Sequence, residues 1–201
     1  MKKIIISVLC LIILIISYGC ESPDQTAQKY GQPLSSTGFL SDYSQLRPIS
    51  ETSYRYLNPK YSLAKYVNFI IDPVELIFNP QAKAEVGNWD DIEKLRAYMR
   101  KTFVDTLEPR YNAIAVKPGP SSARIRIALT NVERSAPLKL GSVSMEVELL
   151  DTQTSEQIAA LIETQKKGVP FYGYDQWSGA KSIMDDWAKR FYNRLEESRG
   201  H

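Results

Sequence analysis

Two stretches of this chain alternate apolar and polar side chains residue by residue, a pattern that fits a strand with one face buried and the other turned away from the core. In ARIRIALTNVE, residues 123–133, Ile125, Ile127 and Leu129 fall on one face and Arg124, Arg126 and Ala128 on the other. In VSMEVELL, Val143, Met145, Val147 and Leu149 alternate with Ser144, Glu146 and Glu148. The segment DTQTS from Asp151 to Ser155 carries turn residues and leads into a returning strand over 157–165, so a hairpin follows. Arg124 and Arg126 then face Glu146 and Glu148 across neighbouring strands. The spacing predicts a solvated charged face whose pairs contribute only about 0.2–1 kcal/mol each.

Helical periodicity frames this sheet. Asn88 is placed to cap a helix, Asp90 and Asp91 suit its positive end, and Ile92, Leu95, Met99, Phe103 and Thr106 or Leu107 recur at helical spacing before Pro109 stops it. A second helix closes the chain, with Ala180, Ile183, Met184, Trp187, Ala188, Phe191 and Leu195 forming one apolar stripe. Upstream, YVNFIIDPVELIF over 66–78 is rich in strand-forming residues, but Pro73 cannot donate to a ladder, so this strand belongs at an edge or breaks at Asp72-Pro73. The order β-α-β-β-β-α predicts a two-layer α+β domain: a roughly four-stranded, largely antiparallel sheet with both amphipathic helices on one face.

The N-terminus reads as a targeting segment. Lys2 and Lys3 precede a run, Ile4 to Ile16, that is apolar except for Ser7 and Cys10. As a helix that run reaches roughly 20 Å, short of the ~30 Å hydrocarbon layer. A signal peptide over 1–19 therefore fits better than a spanning helix. Ser17 and Gly19 stand at the third and first positions before Cys20, as in secretory cleavage sites. The stretch also looks like a bacterial lipobox, with Gly19 and Cys20 in place, although Ser17 stands where Leu is usual and Tyr18 where a small residue is usual. The chain has two cysteines, and removal of Cys10 with the leader leaves Cys20 without a disulfide partner. A thioether to lipid accounts for that thiol, and two or more acyl chains such as palmitate are needed for stable attachment. Residues 20–36 are polar and carry two prolines, so they read as a tether with a root-mean-square span of roughly 22 Å. Residues 37–201 form one domain.

Charge and composition exclude several functions. The chain has 25 Lys plus Arg and 23 Asp plus Glu; without Lys2 and Lys3 the two signs balance, since residues 1–19 contain no acid. A nucleic-acid partner calls for a basic surplus, so none is expected, and membrane attachment is expected through the N-terminal lipid alone. The only histidine is His201 at the chain end, which leaves no imidazole for a nucleophile–base pair or an ordinary zinc site. No Gly-rich phosphate loop occurs. Asp90-Asp91 and Asp185-Asp186 are adjacent acids, but neighbours on a helix diverge by about 100°, so they read as exposed helix acids rather than an acid–base couple. No catalytic residue, metal ligand or cofactor is assigned.

Two aromatic segments lie outside the periodic elements: Gly38-Phe39-Leu40 with Tyr43, and Phe171, Tyr172, Tyr174 and Trp177. The second group supplies candidate partner-binding aromatics; both groups have an alternative as lids over the sheet or helix layer.

The runs GFLSDYSQLRP (38–48), YRYLNPKYSLAKYVNFIIDPVELIF (54–78), LLDTQTSEQIAAL (149–161) and SGAKSIMDDWAKRFYNRL together resemble bacterial lipoproteins of domain-of-unknown-function family 3313. The resemblance covers nearly all of the chain after Cys20. It implies a Gram-negative envelope lipoprotein and a lipid on Cys20, and it implies no catalytic residue. Glu21 is not the Asp that usually retains lipoproteins in the inner membrane, which favours the outer membrane, facing the periplasm. The functional expectation is a noncatalytic lipoprotein that docks to or supports another envelope component. The alternatives are a small-ligand-binding periplasmic lipoprotein or a carboxylate-dependent hydrolase.

Overall fold

The chain enters its sheet earlier than the alternation announces. The structure, a computed structural model describing residues 37–78, 88–115, 117–134, 140–167 and 175–200, begins with two short strands, β1 (Arg47–Ser50) and β2 (Ser53–Leu57). They pair antiparallel with each other, and β2 then pairs antiparallel with a strand near the other end of the chain. Strands of four and five residues with a proline give almost no periodic signal. Their pairing, rather than their own sequence, makes them strands, and Pro48 is tolerated because β1 lies at the sheet edge.

Pro73 breaks the next run as its missing N–H requires, leaving β3 (Asn68–Ile71) and β4 (Glu75–Leu76). The first helix, α1 (Trp89–Leu107), follows; the Asn88 side chain accepts from the Asp90 amide at 3.0 Å. Three long strands come next, β5 (Ser122–Glu133), β6 (Gly141–Asp151) and β7 (Gln157–Lys167), and α2 (Ser178–Glu197) closes the domain.

The sheet has seven strands in the order β1-β2-β7-β6-β5-β3, with β4 also pairing to β5. This corrects the expected four-stranded, largely antiparallel sheet. The β5-β6-β7 meander is antiparallel as read, but β3 and β4 run parallel to β5. The reason is the connection: α1 lies between β4 and β5, and a strand–helix–strand crossover returns the chain in the same direction.

Both helices cover one face, as expected. Ile92, Leu95, Met99, Phe103 and Leu107 of α1 and Ile183, Met184, Trp187, Ala188 and Leu195 of α2 share a core with Ile125, Ile127, Leu129, Val143, Met145 and Leu149. Each such side chain contributes about 1.5–3 kcal/mol when fully buried. Phe191 packs against this core, its ring 5.9 Å from Phe69 and 6.1 Å from Phe103. The opposite sheet face carries a smaller core of Phe39, Leu40, Tyr54, Ala128, Ala160 and Ile162, contributed partly by the segment ahead of β1.

Candidate functional site

The face read as solvated is sealed. Glu146 and Glu148, on the outer face of β6, are each only 1% exposed, because residues 37–43 lie across them as a strap. Phe39 and Leu40 anchor the strap in the smaller core, and Gly38 has φ +85°, a conformation that a residue with a Cβ rarely adopts. Glu148 accepts from the Ser41 amide at 2.9 Å, the Ser41 hydroxyl at 2.6 Å and the Gln157 side-chain amide at 2.8 Å, and it pairs with Arg126. Glu146 accepts from the Thr37 amide at 3.1 Å and from the Tyr43 hydroxyl.

Register explains how Arg126 reaches its acid: it stands directly opposite Glu148 across β5 and β6. That arginines of β5 would meet glutamates of β6 was legible; which of them pair, and that the glutamates are buried, was not. Ala128, rather than Arg124, faces Glu146, and Arg124 turns to Asp72 at 2.7 Å. The Arg126 guanidinium lies 4.6 Å from the Phe39 ring centroid, so its charge is held between a carboxylate and an aromatic face. Glu75 approaches it at 3.8 Å.

A third buried acid ties the β6–β7 turn to the loop before β3. Asp151 accepts from Lys65 at 2.9 Å, the Tyr66 hydroxyl at 2.8 Å, and the Gln153 and Thr154 amides at 2.9 and 3.0 Å. Burial pushes its carboxyl up, but these four donors outweigh it and hold the group well below the usual carboxylate range. Burial and the Asp151 bond push the Tyr66 phenol far above its ordinary value. Burial and a hydrogen bond to Glu196 likewise raise Tyr111 to about 12.

Three of the four paired helix acids have structural partners. Asp91 accepts from the Trp177 indole at 3.1 Å, Asp185 from the Tyr98 hydroxyl at 2.9 Å, and Asp186 pairs with Lys167 at 3.0 Å. Trp177 is 6% exposed and belongs to the helix-side core, so it packs between the helices rather than presenting a surface. Its ring fills the end of the helix layer, and its N–H is taken by Asp91. Phe171, Tyr172 and Tyr174, and Cys20, lie outside the described residues.

A groove of about 530 Å³ is lined by Leu76, Ile77, Phe78, Trp89 and Glu93. Among the described residues its walls bring a single carboxylate, Glu93, rather than a convergent polar set. Among the described residues no group of three or more His, Cys, Asp or Glu could hold a metal ion. Among the same residues no helix is long and apolar enough to cross a membrane.

A family model described as protein of unknown function DUF3313 matches residues 35–139, just over half of the chain. The chain belongs to the DUF3313 family. The match takes in the strap, β1 to β5 and α1, so one wall of the sealed carboxylate site lies within the DUF3313 region and Glu146 and Glu148 lie beyond it. No curated protein matches the chain. Among solved structures, this DUF3313 chain is similar to a PelC dodecamer from Paraburkholderia phytofirmans, with 11% identity over 72% of this chain and 96% of that one and a TM-score of 0.46. It is also similar to a Xanthomonas campestris protein of family DUF330, with 11% identity, 72% and 94% coverage and a TM-score of 0.44. Lipoprotein GNA1162 from Neisseria meningitidis matches with 10% identity, 62% and 95% coverage and a TM-score of 0.34.

Proposed function

We propose that this DUF3313 chain is a noncatalytic envelope lipoprotein, held by acyl chains on Cys20 in the outer membrane and facing the periplasm, whose domain docks onto or supports another membrane component. The observation that carries the noncatalytic reading is the use made of its buried acids. Glu146, Glu148 and Asp151 have their oxygens taken by donors from the chain itself, so they hold strands, strap and turn together. A general acid or base instead needs a proton-transfer partner in the substrate within hydrogen-bond reach. The attachment reading is supported by the short apolar run ending before Gly19-Cys20 and by a polar tether leading to the strap.

Three measurements test this reading. The N-terminal mass of the mature protein should show acyl groups on Cys20 that disappear in Cys20→Ser; an unmodified wild-type thiol refutes the anchor. Crosslinking in intact cells should capture a discrete envelope partner. Turnover of an ester, glycoside or peptide substrate by the purified chain, lost on Glu148→Gln in a folded variant, overturns the noncatalytic reading.

A further inference from the structure

The balanced charge of the chain is not evenly spread. Arg47 and Arg55 stand directly opposite each other on β1 and β2, which places both side chains on the helix-side face of the sheet. Leu161, opposite Arg55 on β7, packs against the helix-side core and confirms that face. The helix runs antiparallel to β7: Asp186 pairs with Lys167, and Arg190 pairs with Glu163 at 2.8 Å. One turn further on, Arg194 comes beside Arg55; burial, and secondarily the Arg194 charge, hold the Arg55 guanidinium below its ordinary range.

Of these four arginines, Arg190 is neutralised by Glu163, and Arg47 donates to the Ser44 and Leu46 carbonyls, which leaves its charge uncompensated. Among the described residues, neither Arg55 nor Arg194 has a carboxylate within ion-pair reach. Two further acids flank the group, Glu51 in the β1–β2 turn and Glu197 one turn beyond Arg194, both exposed. Beside the arginines, Ile49 on β1 is 42% exposed and Leu57 on β2 is 53% exposed. Like charges held together beside uncovered aliphatic side chains cost free energy unless an anionic, partly apolar surface meets them.

We propose that this sheet edge is a second membrane contact: Arg47, Arg55 and Arg194 engage the phosphate layer of an anionic phospholipid leaflet while Ile49 and Leu57 enter the interface. Arginine suits phosphate because its planar donors bind two oxygens at once. The setting rests on the lipid-anchored reading, and the reach is consistent with it. Thr37 is fixed over β6, three strand spacings or about 14 Å from β1. The 17 residues from Cys20 to Ser36 can reach at most ~60 Å when extended, enough for that edge to lie against the bilayer.

The test removes the acyl chains. The mature chain from residue 20 carrying Cys20→Ser is floated with vesicles of phosphatidylcholine containing about one-third phosphatidylglycerol. Binding should be measurable there, weak on pure phosphatidylcholine, and lost at high salt as the screening length shrinks. Each arginine removed should weaken partitioning about fivefold, so Arg55→Gln/Arg194→Gln should lose about 25-fold, while Arg96→Gln on α1 changes nothing and Glu197→Gln strengthens binding. Equal binding to neutral vesicles, or a folded double variant that binds as well as wild type, overturns the proposal. Saturable binding of inorganic phosphate that is lost in the double variant, with flotation on anionic vesicles unchanged by the double substitution, would instead assign the arginines to a free anion and also overturns it. If the double variant does not fold, the salt, lipid and Glu197→Gln arms decide. The N-terminal mass of Cys20 is read separately, so failure of the anchor and failure of this contact are distinguishable.

Discussion

Replacing Glu148 with Gln tests whether the strap is clamped by charge. The variant keeps the side-chain volume but removes the anion that Arg126, the Ser41 amide and hydroxyl, and Gln157 all address, and it puts an amide N–H₂ among donors. Removing one partner of a fully buried ion pair costs about 3–5 kcal/mol. Here the Arg126 side chain is 28% exposed and Glu75 stands 3.8 Å away to take part of its charge, which brings the expectation down to about 2–3 kcal/mol. Urea unfolding of the mature Cys20→Ser chain, with and without Glu148→Gln, measures the difference; for a domain of this size it corresponds to a fall of roughly 5–10 °C in Tm. Proteolysis within residues 37–46 should accelerate, because the strap loses its central acceptor while the helix-side core is untouched. A change below about 0.5 kcal/mol with unchanged strap proteolysis would refute the clamp, since it would mean that Phe39 and Leu40 hold the segment without the carboxylates.

Asp151→Asn should cost about 2–3 kcal/mol at neutral pH, because Lys65 and Tyr66 lose a charged acceptor. The depressed carboxyl makes the wild-type advantage full above the unfolded value of about 3.9 and progressively lost as pH falls toward the folded value, so urea midpoints of the two proteins should converge below about pH 4. A gap that stays constant down to pH 2 would show that the carboxylate charge is not what stabilises the turn. Trp177→Ala should destabilise the domain by about 3–5 kcal/mol by emptying the helix-side core and leaving Asp91 without the indole N–H. Full stability of that variant by thermal melting would refute the packing role of Trp177 and favour a docking role.

Much of the architecture was legible because it rests on local periodicity. The β5-β6-β7 meander, the Asp151 turn, the break at Pro73, the Asn88 cap and the apolar stripes of α1 and α2 all follow from side-chain alternation, helical spacing or a missing N–H. The first two strands were not, because β2 is held by pairing to β7, about a hundred residues away, and β1 is held only by pairing to β2. The parallel entry of β3 and β4 likewise follows from where α1 packs. At the candidate site, alternation placed Arg124 and Arg126 on the same face as Glu146 and Glu148, and the aromatic run at 38–43 marked a candidate lid. What alternation could not supply was their meeting: a charged outer face looks solvated until a distant strap excludes water from it.

The amino-acid sequence by itself determined the two helices, the β5-β6-β7 meander, the two-layer class and the DUF3313 resemblance, since each depends on residues near one another along the chain. Only the tertiary structure decided which charges matter. It buried two glutamates under the strap and gathered arginines from β1, β2 and α2 at one edge, because burial and Coulomb interaction depend on distance in space and on water, neither of which a net charge records.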